Sequence, residues 1–207
     1  MKNIHVVSHP LLHHSLTIIR KKCTDTEHFR RHTSIISQIM IMEATRKIPL
    51  YDTQIETPLG VMTGQEIRDN IIFVPVLRAG LSMLFHARDF LPWAPVGFIG
   101  LERDEQTAVA REYYQKFPFD LKEKHVMVLD PMLATGGSLV DTISSLKNKG
   151  AGIITTVCIV AAPEGIKRLS ETYPDVQIFV AAIDSHLNPE KYIYPGLGDY
   201  GDRYFNT

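Results

Sequence analysis

The chain has 207 residues and a mass of 23.4 kDa, enough for a domain with a sizeable buried core. Hydrophobic residues make up 44% and charged residues 22%, a globular balance that excludes intrinsic disorder. With 22 basic and 23 acidic side chains the net charge is −1 and the pI about 6.8, so the chain has no general pull toward nucleic acid or anionic lipid, and basic residues must act locally.

No run approaches the roughly 18 uninterrupted apolar residues of a membrane span, and Met1–Pro10 does not read as a signal peptide. Cys23 and Cys158, the only two cysteines, are too few for a disulfide scaffold and point to a reducing, cytoplasmic setting. Residues 1–32 are polar, hold six of the nine histidines, and read as an N-terminal arm. Apolar positions from Ile35 to Ala44 predict an amphipathic helix over Thr33–Arg46, stopped before Pro49. Tyr51–Thr63 alternates around Thr57-Pro58-Leu59-Gly60 and reads as a hairpin.

From there one theme repeats. Ile71–Leu77 is a strand, broken by Arg78-Ala79-Gly80, and Leu81–Phe90 a helix. Val96–Leu101 and His125–Leu129 are further strands, the latter followed by a glycine turn and a helix over Ser138–Lys149. Ile153–Ala161 and Val176–Ile183 are strands on either side of a short helix, Gly165–Thr172. Short apolar runs alternating with helices predict an α/β fold, a mostly parallel sheet flanked by helices on both faces. Ligands of such sheets sit beyond the carboxyl ends of the strands, so the loops at Arg78, Arg103, Asp130 and Pro163 are expected to share one rim. The expectation is a single domain over 1–207, with a C-terminal tail over 184–207.

The most informative segment is Asp130-Pro131-Met132-Leu133-Ala134-Thr135-Gly136-Gly137-Ser138. A strand delivers the chain to a turn whose glycines let a ligand approach the backbone closely. The helix that follows aims its unpaired N–H groups and positive dipole end at the same point. Thr135 and Ser138 add hydroxyls. The result is a cradle for a phosphate monoester, and it is neither a Walker loop nor a G-x-G-x-x-G turn. A plain strand-to-helix turn with a serine cap is the competing reading.

An acidic strand end followed by Thr-Gly-Gly-Ser resembles the phosphoribosyl diphosphate loop of type I phosphoribosyltransferases. The usual loop carries two consecutive acidic residues; Asp130-Pro131 instead is similar to the uracil phosphoribosyltransferase branch. Val74–Leu81, Glu112–Tyr114, Asp130–Ser138, Val160–Gly165 and Tyr194–Asp199 all resemble that family, in the same order. The likeness runs from His9-Pro10-Leu11 to the C-terminus.

A donor with a phosphate and a diphosphate needs cations beyond the cradle, and guanidinium groups bind phosphate bidentately at any working pH. Arg78, flanked by Leu77 and Ala79-Gly80, reads as enclosed in an apolar setting where an unpaired charge is costly. The resemblance implies that Arg78 and Arg103 contact the diphosphate side, that Arg103 and Asp199 serve catalysis, and that Asp130–Ser138 and Asp199 hold the donor. It places uracil at Ile193 and Gly198–Tyr200, with Tyr200 standing where the family usually has Ala, so an altered base preference stays open. Position 15, usually Lys in the family, is Ser. The resemblance further implies Mg²⁺ held mainly through the diphosphate, possible activation by GTP, and a homo-oligomer, without nucleic-acid or membrane partners.

The tail Lys191–Arg203, with three glycines and a proline, reads as neither regular helix nor strand, so its main chain must find other partners. Uracil's acceptor–donor–acceptor edge suits such a backbone, whereas cytosine would leave buried groups unpaired. Gln106–Lys116 reads as a flap over the substrate. His5/His9 and His28/His32 have i, i+4 spacing but no His-Glu-x-x-His pattern, and read as solvated or structural. Cys158 reads as core, Cys23 as a plain thiol, and Trp93 as a packing anchor. The expected activity is transfer of the phosphoribosyl group from 5-phospho-α-D-ribose 1-diphosphate to uracil, giving UMP and diphosphate. An RNA-binding, nucleotide-sensing regulator on the same fold is the alternative; it needs a basic face, and Arg20-Lys21-Lys22 is the one basic cluster.

Overall fold

A computed structural model describes residues 3–67, 70–103, 110–117, 120–122 and 124–207, with the backbone alone at 101–103 and 110–112. In chain order the elements are β1 (Ile4–Val6), α1 (Pro10–Arg20), α2 (Thr26–Thr45), β2 (Leu50–Thr57), β3 (Gly60–Ile67), β4 (Ile71–Leu77), α3 (Leu81–Phe90), β5 (Phe98–Arg103) and β6 (Ala110–Lys116). There follow β7 (His125–Leu129), β8 (Met132–Leu133), α4 (Gly137–Asn148), β9 (Ile153–Ala161), α5 (Pro163–Thr172), β10 (Gln177–Ile183), β11 (His186–Leu187), β12 (Ile193–Tyr194) and α6 (Tyr200–Phe205).

The main sheet runs β1-β10-β9-β7-β4-β5-β6, with β8 also paired to β9. Every pairing in it is parallel except that of β5 with β6. Side chains alternate across a strand, and here both faces are buried. Ile71, Phe73, Met127, Leu129 and Val157 pack with α1, α2 and α3 on one face. Ile72, Val74, Val126, Val128 and Cys158 pack with Leu139, Ile143 and Leu146 of α4 and Leu169 of α5 on the other. That is why these strands read as unbroken apolar runs.

Two sequence expectations shift at the N-terminus. Residues 1–32 do not hang as an arm: β1 extends the sheet beside β10, and α1 buries Leu12, Ser15, Leu16 and Ile19. The helix expected from Thr33 starts at Thr26, with Asp25 accepting from the His28 N–H at 2.8 Å as its cap. Its buried residues, Phe29, Thr33, Ile36, Ser37, Met40, Ile41 and Ala44, follow the helical period. The histidines of its first turns hid that stripe. Trp93, expected to anchor packing, is 52% exposed instead, because the neighbouring Leu91 and Ala94 take the buried positions.

Candidate active site

Because β4, β5, β7 and β9 are parallel, their carboxyl ends at Leu77, Arg103, Leu129 and Ala161 lie along one edge, where the sequence places the site loops. At the end of β7, Asp130 donates its N–H to Val157 at 3.2 Å. Its side chain is buried, with Oδ1 accepting from the Met132 N–H at 3.3 Å. The carbonyl of Pro131 then receives the N–H groups of Ile159 and Val160, which presses β8 onto β9.

The turn into α4 depends on glycine at 136. Its φ of +76° is left-handed, and a Cβ there would stand 2.9 Å from the Gly165 carbonyl oxygen. A Cβ on Gly165 would in turn meet the Ala134 carbonyl at 2.3 Å. The loop and the start of α5 thus touch backbone to backbone, so the Thr-Gly-Gly-Ser turn needs the glycine of Pro-Glu-Gly opposite it. Gly136 caps α4 without a side-chain bond; the Gly137 N–H reaches Thr135 Oγ1 only at 3.5 Å, and the helix turns its positive end toward the loop, where an anion is favoured. Residues Asp130 and Met132 to Leu139 line a small cleft at this turn. Arg168 of α5, not singled out from the sequence, brings Nη1 within 3.5 Å of where a Gly137 Cβ would be.

Arg78 requires a correction. Its side chain is 61% exposed, with Nη2 3.9 Å from Asp202 Oδ1, not enclosed among apolar groups. The apolar neighbours belong to the turn beneath it, and the guanidinium reaches past the strand end to the rim. That turn is tight: a Cβ on Gly80 would lie 2.3 Å from the Leu129 carbonyl, so the Arg78 loop rests directly against the end of β7. Arg103 is the last residue of β5, paired in backbone register with Ala110; its side chain lies outside the described residues. Of the expected flap, Ala110–Lys116 is strand β6, antiparallel on β5, and residues 106–109 lie outside the described residues.

The tail is more regular than its composition promised. β11 and β12 form a short antiparallel ladder, and Asp199 caps α6 by accepting the Asp202 N–H at 2.9 Å. Tyr200 and Tyr204, one turn apart, supply the buried face of α6. Two arginines bolt this tail to the N-terminal helices. Arg20 donates to both oxygens of Asp184 at 2.8 and 2.6 Å and to the Gly196 carbonyl at 2.7 Å, while Asp184 Oδ2 also receives the Gly196 N–H. Arg203 donates to the carbonyls of Ile19 and Leu197, both at 2.6 Å, and of Lys21 at 2.7 Å. Neither clamp was visible in the sequence, since each joins the tail to a segment more than 160 residues away.

Tail and loop meet in a cavity of about 150 Å³, lined by Met132 and Ala134 on one side and by Lys191, Tyr192, Ile193, Gly198, Asp199 and Tyr200 on the other. It joins all four residues expected to hold the base to two of the phosphate loop. Lys191, with φ +65°, and Tyr192 are additions. Tyr200 is 2% exposed; its ring packs against Phe29 and Tyr204, and burial pushes its phenol above the usual tyrosine range. A larger cleft of about 650 Å³ lies between β1 and the end of α2. None of the expected site residues lines it, and its Arg46 is paired with Glu43. Cys158 is fully buried, which pushes its thiol up and makes it inert core.

A parallel sheet whose strand ends carry a glycine-turn cradle, a cationic loop and a capping tail defines a type I phosphoribosyltransferase. At the level of fold alone, an adenine phosphoribosyl transferase from Trypanosoma brucei superposes with a TM-score of 0.60 at 13% identity, over 96% of this chain and 89% of that one. Residues 6–207 match the uracil phosphoribosyltransferase family model. A uracil phosphoribosyltransferase of Exiguobacterium sibiricum is 49% identical and one of Campylobacter concisus 45%, each covering all of both chains. The AQ2163 protein from Aquifex aeolicus is 39% identical with a TM-score of 0.94, over 98% of this chain and 97% of that one. The chain belongs to the uracil phosphoribosyltransferase family.

Proposed function

We infer that this enzyme transfers the phosphoribosyl group of 5-phospho-α-D-ribose 1-diphosphate to uracil, giving UMP and diphosphate, a reaction of pyrimidine salvage. The observation that carries the reading is the cavity in which Met132 and Ala134 of the phosphate loop face the tail, on a chain that matches the family over 6–207.

The 5′-phosphate sits at Thr135–Ser138, taking N–H donors from the start of α4 and hydroxyls from Thr135 and Ser138. Asp130 faces the ribose. Arg78 and Arg103, at neighbouring strand ends, take the diphosphate. Displacement at the anomeric carbon passes through an oxocarbenium-like state, and the chain contributes chiefly by holding both reactants and by matching the departing charge. Uracil lies along Ile193 and Gly198–Tyr200, read by main-chain groups. Asp199 has Oδ1 committed to capping α6, which leaves Oδ2 as the candidate acceptor for the uracil proton.

The donor set fits Mg²⁺ carried by the substrate. No group of three or more His, Cys, Asp or Glu side chains that could hold a metal occurs among the described residues, while Asp130 offers one carboxylate at the cleft. Mg²⁺ typically keeps several waters and binds through one or two carboxylates plus substrate phosphates, and when bound it neutralises diphosphate charge. A homo-oligomer is supported by the exposed apolar residues of the β2–β3 hairpin, Leu59, Val61 and Met62; sedimentation velocity tests it, and GTP activation is read from the rate with GTP added. A cytoplasmic setting accords with the free Cys23 and Cys158 and with the absence, among the described residues, of a helix long and apolar enough to cross a membrane.

The test offers uracil, cytosine and hypoxanthine in turn with Mg²⁺ and the donor. Nucleotide from uracil alone is expected. Equal or better use of cytosine or hypoxanthine would overturn the substrate assignment.

A further inference from the structure

Inside the core, the tail is joined to the Arg78 loop by a short chain of hydroxyl groups. Tyr200 Oη lies 2.8 Å from Ser82 Oγ, both side chains buried. Ser82 Oγ donates to the Ala79 carbonyl at 2.8 Å, and the Ser82 N–H bonds the same carbonyl at 3.1 Å. A hydroxyl has one proton to give. With the serine's proton committed to Ala79, Tyr200 is the donor to Ser82. Burial raises the phenol's pKa, so that donor persists at any working pH. Thr33 Oγ1 is the phenol's other possible acceptor, but at 3.5 Å it lies at the limit of a hydrogen bond and Ser82 at 2.8 Å takes the proton; Phe29 and Tyr204 hold the ring.

Ala79 lies between Arg78 and Gly80, in the turn that rests on the Leu129 carbonyl one residue before Asp130. Its carbonyl thus sits one residue from Arg78, in the turn packed on the strand end that carries Asp130. Outside the core the same two segments approach again, Arg78 Nη2 to Asp202 Oδ1 at 3.9 Å. That exposed contact is weak by itself; the buried chain of hydroxyls is the rigid link.

We propose that Tyr200 is a positioning residue for the diphosphate side of the site, setting the Arg78 loop through Ser82 and Ala79 and tying grip on the leaving group to the seating of the base-binding tail. The inference rests on the reading that Arg78 meets the diphosphate and the tail meets the base. It separates cleanly from a local role: a residue that only shapes the base pocket alters uracil KM or base preference, whereas the tie alters constants for the other substrate.

Tyr200→Phe keeps the ring and removes the hydroxyl; Ser82→Ala removes the acceptor and leaves the ring untouched. UMP formation by the unsubstituted enzyme is measured first, then donor KM, the inhibition constant of diphosphate, kcat and uracil KM for each variant and the double variant. A buried hydrogen bond of ordinary strength corresponds to a rise of roughly three- to tenfold in donor KM and in the diphosphate constant, with uracil KM moving less. The double variant is expected to be no worse than the poorer single, because both remove one link. Normal donor and diphosphate constants in both singles, whatever happens to thermal stability or uracil KM, overturn the tie, and so does strict additivity. A wild-type enzyme that makes no UMP removes the site reading itself, and the tie with it.

Discussion

At residue 136 the need for glycine is set twice, by backbone conformation and by space. A left-handed residue with a Cβ costs about 1–2 kcal/mol, and this Cβ would also crowd the Gly165 carbonyl. Gly136→Ala is therefore expected to lower the melting temperature and raise donor KM, with uracil KM less affected. Unchanged donor KM would mean that the turn does not hold the phosphate. Arg103 ends β5 on the shared rim, and Arg103→Ala is expected to lose most turnover while the circular-dichroism spectrum stays native. A rate near normal would remove that residue from the machinery. Tyr200 shows where residue-level reading fell short. Its aromatic type was a clear departure, but the direction of its ring depended on Phe29, Ser82 and Thr33, none of them near it in sequence.

Among the elements, the tail depends most on others for its shape. Tyr194–Leu197 turns around Gly196, and that turn is held by Arg20 reaching across from α1 to Asp184. Asp184 is 6% exposed in its side chain and Arg20 23%, so Arg20→Ala strands a nearly buried carboxylate. Such a break costs about 3 kcal/mol, and the tail should loosen: uracil KM rises more than donor KM, and the melting temperature falls. Equal rises in both constants would contradict a role confined to the tail. The strands β4, β7 and β9 were legible because burial on both faces writes an unbroken apolar run. The early part of α2 was not, since Phe29 and Thr33 carry its buried stripe between charged and imidazole side chains. Helix α6 was obscured by Gly201 and by its length of six residues. The edge strand β6, polar enough to pass for a flap, gains its structure from pairing with β5 rather than from its own pattern.

Across the whole molecule, buried histidines contribute to the response to mild acid. His86 and His125 are both held below the ordinary histidine pKa of 6.5, chiefly by desolvation. The unfolded chain therefore takes up protons near pH 6.5 that the folded chain refuses until lower pH, so the unfolded state binds more protons and stability falls as pH drops below about 6.5. Denaturant midpoints at pH 8.0 and 5.5 are expected to differ in that sense, and His125→Gln, which can keep the bond to Thr155, should narrow the gap. Equal midpoints would contradict it.

The same scale holds the central claim, that the sheet edge and the tail together enclose one substrate site. The loop half was readable because its chemistry is local, a strand, a turn and a helix in sequence. The tail half needed the fold, which brings Ile193 and Gly198–Tyr200 to Met132 and Ala134. A crystal structure of the enzyme with UMP tests this most directly. The phosphate should lie against Thr135–Ser138 and the pyrimidine against Ile193 and Gly198–Tyr200. Density for the nucleotide in the cleft between β1 and the end of α2, or with its base turned away from the tail, would contradict the account.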